Sequence, residues 1–169
     1  IHSVEPFIEN FQQLESNKKI NNFENIKTYN LALSNKKQEI KMWVSDKKKT
    51  GGFAVLNLND EELKKYNKLE NYEVNAISEM GDKLFLIKNK KIAIKIDVER
   101  HEKEVIEGAK SFLTNNKSIM QIEVFNERNK EINEILEKIY FKKFYNIGKD
   151  YFYKNYWSKY YQVAVSKVN

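Results

Sequence analysis

The chain has no cysteine. That excludes disulfides, thiolate metal sites and cysteine nucleophiles, and it says nothing of compartment. With 1 proline and 5 glycines in 169 residues, collagen-like, linker-like and turn-dense all-β architectures are excluded. No apolar run approaches the ~20 residues that a membrane helix needs, and no signal peptide is visible. A cytoplasmic location without a membrane span is the expectation. No glycine-rich G-x-G-x-x-G turn is present, because Gly51-Gly52 stands alone. No internal repeat is visible.

What is there suits a folded domain. Hydrophobic residues make up 41% and aromatics 13%, enough to bury a core, and the length predicts a single domain over 1–169. The net charge of +6 comes from 30 basic and 24 acidic residues. The lysine excess falls in short clusters, Lys36-Lys37, Lys47-Lys48-Lys49, Lys90-Lys91 and Lys142-Lys143. Blocks this short read as solvated turns. A nucleic-acid surface would need them gathered on one face with aromatics between them, so no nucleic-acid partner is expected. The chain starts at Ile1 rather than at a methionine, and inside a strand; both suggest a piece cut from a longer protein.

The stretch Ile92–Glu102 organises the reading. Ile92, Ile94 and Ile96 alternate with Ala93 and Lys95 as in a mostly buried strand. The run then stops at Asp97, Glu99, His101 and Glu102, and a helical pattern follows with Val105, Ile106, Ala109, Phe112 and Leu113 on one face. Open α/β folds keep their ligands at such strand ends.

Before it, Ile1–Glu5 reads as a strand, Pro6 opens a helix carrying Phe7, Phe11 and Leu14, and Ile26–Leu33 reads as a second strand, parallel to the first. Gln38–Val44 alternates, Thr50-Gly51-Gly52 is a turn and Phe53–Leu58 returns as its partner, a β-hairpin excursion. Glu61–Tyr66 reads as a short helix, Tyr72–Ile77 as a strand and Ser78–Leu86 as a helix-like connector. After the central strand come a strand at Ile119–Phe125, a helix marked by Ile132, Ile135, Leu136 and Ile139, a strand at Phe144–Ile147, strand or loop at Tyr151–Tyr156, and a closing strand at Tyr160–Val168. The fold class is therefore α/β, a mainly parallel sheet with helices on both faces and an antiparallel last strand at the edge.

A parallel sheet would gather Glu5, Asn30–Ser34, Asp97–Glu102 and Glu123 along one rim. Each has two readings. Glu5 can accept ribose hydroxyls or complement a helix dipole. His101 can act as a general base oriented by Asp97, Glu99 and Glu102, or can cap a helix. Asp97, Glu99 and Glu123 can hold a hard divalent ion through oxygens, or can sit in water. Glu123 can orient a substrate or be satisfied by a main-chain N–H. Tyr151-Phe152-Tyr153 with Tyr156-Trp157 can line a cleft or pack edge strands.

Four stretches resemble the FkbM family of S-adenosylmethionine-dependent methyltransferases: Val4-Glu5-Pro6 with Glu9-Asn10-Phe11 and Leu14; Asn30-Leu31-Ala32-Leu33-Ser34; Lys95–Glu102 with Val105–Ala109; and Ile122-Glu123. The resemblance implies a Rossmann-like class I methyltransferase sheet, truncated at its N-terminus so that the first strand, its helix and the glycine-rich cofactor loop are missing. It implies S-adenosylmethionine as cofactor, with Glu5 on the ribose, Asn30, Leu31 and Ala32 near the adenine, and Asp97 facing the methyl group. Glu99, Arg100 and Glu123 would meet the acceptor, a hydroxyl of a sugar, glycan or small metabolite. His101, then Asp97 and Glu102, are the candidates for removing its proton. The family usually has Gly where this chain has Arg100, so the turn is less tight or reaches an anionic substrate. Half of the cofactor pocket would lie outside this stretch, so it should have little or no activity alone.

Two rivals stand beside this reading, a nicotinamide-dependent oxidoreductase and a non-catalytic Rossmann-like binding domain. A nucleic-acid methyltransferase is disfavoured, because no Asn/Asp-Pro-Pro-Tyr-type motif is present to hold a flipped base.

Overall fold

A computed structural model describes residues 1–45, 54–55 and 71–156. The chain divides into two units, Ile1–Leu86 with Val98–Ala109 and Ile87–Asp97 with Lys110–Asn169. The fold is mixed α/β, with three sheets among the described residues. The turn at Thr50–Gly52, the helix at Glu61–Tyr66, Trp157 and the closing strand at Tyr160–Val168 lie outside those residues.

The first unit begins as the sequence predicts. β1 (His2–Val4) leads through Pro6 into α1 (Ile8–Ile20). Glu9 in the first turn and Lys18 and Lys19 in the last complement the helix dipole. Asn22 ends the helix in the left-handed region at φ 53, which Asn tolerates. β2 (Lys27–Tyr29) then pairs parallel to β1, His2 opposite Lys27 and Val4 opposite Tyr29.

The expected strand Ile26–Leu33 is corrected to two. β2 stops at Tyr29, and the chain re-forms as β3 (Ala32–Ser34) in a different sheet. The break has a local cause: the Asn30 side chain donates to main-chain oxygens (below), and such bonds compete with a sheet ladder.

The excursion is also redrawn. β4 (Gln38–Ser45) does touch β5 (Ala54–Val55), Trp43 opposite Val55. Its long partner, however, is β6 (Asn71–Met80), antiparallel from Gln38 opposite Ser78 to Ser45 opposite Asn71. The connector expected at Ser78–Leu86 is still strand to Met80, and only α2 (Gly81–Leu84) is helical. β6 earns its place by alternation: Ala76 and Ser78 are buried while Glu73, Asn75 and Ile77 are exposed. Ala76 joins Phe7, Ala32, Ile40 and Met42 in the core of this unit. β3 pairs parallel to β6, Ala32 opposite Ser78.

The helix expected to run from Val105 to Leu113 breaks in two, α3 (Glu102–Gly108) and α4 (Lys110–Thr114). Val105 and Ile106 of α3 are buried in the first unit, and Leu113 of α4 is buried in the second. Gly108 allows the close approach: a Cβ there would lie 1.9 Å from the main-chain oxygen of Ser34.

In the second unit β7 (Lys91–Ile96) pairs parallel to β8 (Lys117–Glu123), Ile96 opposite Ile122. After a short 3₁₀ turn and α5 (Asn129–Lys138), β9 (Lys142–Ile147) and β10 (Asp150–Lys154) follow. The order is β7-β8-β10-β9, and β10 runs antiparallel to both neighbours. Met120, Ile122 and Tyr153 of this sheet are buried, as are Ile132 and Leu136 of α5, one helical turn apart.

The expectation of one mainly parallel sheet is therefore corrected. Among the described ladders β1–β2, β3–β6 and β7–β8 are parallel, while β4–β5, β4–β6, β8–β10 and β9–β10 are antiparallel. The last described strand, β10, lies between β8 and β9; the strand expected to close the chain antiparallel at the edge lies outside the described residues. Among the described residues no helix is long and apolar enough to cross a membrane.

Candidate functional site

Parallel pairing of β1 and β2 sets their C-terminal ends side by side, and Glu5 and Asn30 are the next residues of each. Glu5 is half-buried, and its Oε1 accepts the Phe7 N–H at 2.8 Å. Burial raises its pKa above the ordinary value, partly offset by hydrogen bonds from the Phe7 N–H and the Asn10 side chain. A carboxylate offers about four acceptor positions, so these two bonds leave it free to accept more. Asn30 Nδ2 donates to the main-chain oxygens of Glu5 at 2.9 Å and Pro6 at 3.1 Å. Both donors are committed to carbonyls, which fixes the orientation of the amide. Its Oδ1 is then an acceptor with no donor among the described residues. Leu31 is half-buried and Ala32 is buried in the core. A hollow of about 210 Å³ lies beside Asn30, lined also by Pro6, Ile8, Glu39, Asn75 and Ile77 among others.

The same unit holds most of the central turn. Glu99 and Arg100 both have positive φ, 43 and 75, a costly conformation outside glycine. Glu102 steadies it: its Oε1 accepts the Arg100 N–H at 2.8 Å, and the residue is only 1% exposed. His101 is 5% exposed. Its Nε2 lies 3.0 Å from Ser34 Oγ, and its Nδ1 lies 3.4 Å from Glu104 Oε2. That carboxylate oxygen is buried and has no closer hydrogen-bond partner among the described residues. His101 and Glu102 were expected to present themselves to a substrate; they are enclosed instead.

Asp97 and Glu123 belong to the second unit. Asp97 is exposed, with Oδ2 2.8 Å from Lys95 Nζ. Glu123 is half-buried at the end of β8, directly opposite Asp150 of β10. The Lys95 pKa is raised, first by its hydrogen bond to Asp97, with Asp150 and Glu123 contributing at longer range. Gln121 Nε2 donates to Asp150 Oδ1 at 2.9 Å. One lysine thus sits among three carboxylates. Asp150 is not among the residues that the sequence singles out; the signal for it is the return of Tyr151–Tyr153 as a strand. Glu104 is missed as well, whereas Ser34 stands at the end of the expected Asn30–Ser34 rim. Among the described residues no three acid or histidine side chains lie close enough to hold a metal ion, so the divalent-ion reading of Asp97, Glu99 and Glu123 is not carried further. Of the aromatic tail, Tyr151 and Tyr153 are buried in the sheet, where they pack rather than line a cleft.

The family model for the methyltransferase FkbM domain matches residues 1–149. The chain belongs to the FkbM methyltransferase family. No curated protein and no solved structure matches it. The FkbM match runs from β1 through β9 and takes in Glu5, Asn30, the Asp97–Glu102 turn and Glu123, ending just before Asp150.

Proposed function

We propose that this FkbM domain uses S-adenosylmethionine to methylate a hydroxyl group on a sugar, glycan or small metabolite. The observation that carries the cofactor assignment is the pairing of Glu5 with Asn30. Both follow the C-terminal ends of adjacent parallel strands, where α/β folds bind nucleotides, and both offer acceptors. The Glu5 carboxylate suits two ribose hydroxyls. The fixed Asn30 Oδ1 suits the exocyclic amine of adenine, with Leu31 and Ala32 beside it and the hollow between Pro6, Ile8 and Ile77 giving an apolar place for the ring. When bound, the cofactor supplies a methyl group on a positively charged sulfur, already a good leaving group.

The protein's task is then alignment and removal of the acceptor proton. Asp97 is the better candidate for the proton, since its carboxylate is exposed whereas His101 is enclosed. Lys95 Nζ, 2.8 Å from Asp97 Oδ2, holds that carboxylate in place. Glu123 is assigned to the acceptor, and Asp150 joins it through its place directly opposite.

The test is transfer of isotopically labelled methyl from S-adenosylmethionine to a pool of sugars and glycans by the full-length protein. Base-stable label in a methyl ether is expected. Binding of a reduced nicotinamide nucleotide with no binding of S-adenosylmethionine would contradict the proposal; cofactor binding without transfer to any acceptor would point to a binding domain.

A further inference from the structure

We infer that His101 is a positioning residue that anchors the Val98–Glu102 turn to the end of β3 through Ser34. Ser34 is 1% exposed and His101 5%, so their 3.0 Å contact is shielded from water, where a hydrogen bond is stronger and costlier to break. The order Ser34–His101–Glu104 imitates a nucleophile, a base and its orienting acid. Burial rules that use out, because no substrate carbonyl can reach the Ser34 oxygen. The same burial argues against His101 as the base for an acceptor hydroxyl, which would have to come within about 2.6–3.2 Å of a ring nitrogen.

What the contact does hold is a strained piece of backbone. Glu99 and Arg100 are both left-handed, and such residues persist only where their surroundings over-determine them. Glu102 Oε1 fixes the Arg100 N–H, and the His101 N–H bonds the Val98 oxygen at 3.3 Å. Those two bonds are local to the turn. The His101–Ser34 contact reaches beyond it, to a serine that also receives Gly108 against its main-chain oxygen, while Glu107 Oε2 accepts from Asn35 Nδ2 at 2.9 Å. Ser34 closes the strand that begins at Ala32, the end of the segment proposed to face adenine. A shift of His101 would therefore be felt by the acceptor turn and the cofactor segment together. The consequence for turnover rests on the proposed methyl transfer; the anchoring does not.

The experiment compares the full-length protein with Ser34→Ala, His101→Ala, His101→Gln and the Ser34→Ala/His101→Ala double variant. Gln places an amide nitrogen where Nε2 lies, so it can keep the bond. Ser34→Ala removes a single oxygen and is the variant least prone to misfold. Amide hydrogen exchange at Arg100 and His101 should quicken about tenfold in both alanine variants and stay near wild type in His101→Gln. Unchanged exchange in Ser34→Ala would overturn the inference. Turnover should fall by about tenfold or more in each alanine variant, no further in the double variant, with the ascending limb of the pH profile kept. A loss of about 10²–10⁴ confined to the His101 variants, with that limb gone, would make His101 the base and overturn it too. If the wild type transfers no methyl while exchange responds as described, the proposed function fails and the anchor stands.

Discussion

Asn30 and Glu5 are joined by a 2.9 Å hydrogen bond from a side-chain amide to a main-chain oxygen, which locks the ends of two parallel strands together. The second donor, to Pro6, leaves the amide no freedom to flip. Asn30→Asp replaces those donors with a carboxylate facing two carbonyls. It should cost about 1–2 kcal/mol of stability and weaken cofactor binding; a chemical-denaturation curve and a binding titration check the two effects separately.

Glu5 gives a pH signature. Its folded-state pKa lies above the ordinary 4.5 because burial disfavours the charge. The folded state therefore holds the proton more tightly than the unfolded chain. The stability this contributes is full below about pH 4.5 and is lost as the pH rises through the raised value. Glu5→Gln keeps an acceptor for the Phe7 N–H and never ionises. Its stability should not fall over that window, and at neutral pH it should match or exceed the wild type while binding cofactor less well. Urea denaturation across the acid range reads the slope.

Gly108→Ala should destabilise against its local propensity. In an open helix Ala gains about 1 kcal/mol over Gly. Here the new Cβ would meet the Ser34 oxygen at 1.9 Å, backbone that cannot swing aside. A loss of roughly 3 kcal/mol or more is expected, seen as a lower denaturation midpoint.

Tyr153 is fully buried, its hydroxyl has no hydrogen-bond partner among the described residues, and burial pushes its pKa up to about 12. Tyr153→Phe removes a polar atom that gains nothing, so stability should be unchanged or higher by about 1 kcal/mol. Tyr153→Ala, by contrast, opens a cavity and should cost roughly 3–5 kcal/mol. Thermal melting separates the two; a clear loss in Tyr153→Phe would mean that the hydroxyl has a partner.

The parts of the fold that were legible in the sequence are those set by local pattern. β1, α1, β7 and the start of β2 follow from alternation and from Pro6. What escaped depends on distant residues. Alternation marks Gln38–Val44 as a strand but cannot choose between partners at Ala54 and at Asn71. Periodicity continues through Gly108-Ala109 because it cannot see the Ser34 oxygen against which the helix breaks. Glu5 and Asn30 were legible because each stands directly after a strand. His101 was read as an ionisable group at a helix start, and the enclosing serine lies 67 residues away. Asp150 was hidden because its neighbour Glu123 comes from a strand that only pairing brings opposite.

The central claim is that Glu5 and Asn30 together hold the adenosine half of the cofactor. Calorimetric titration of S-adenosylhomocysteine into the full-length protein, its Glu5→Gln variant and its Asn30→Ala variant tests it most directly. The account predicts stoichiometric binding by the wild type and about tenfold or greater weakening in each variant, with the fold of both retained. Equal affinity in all three proteins would contradict it.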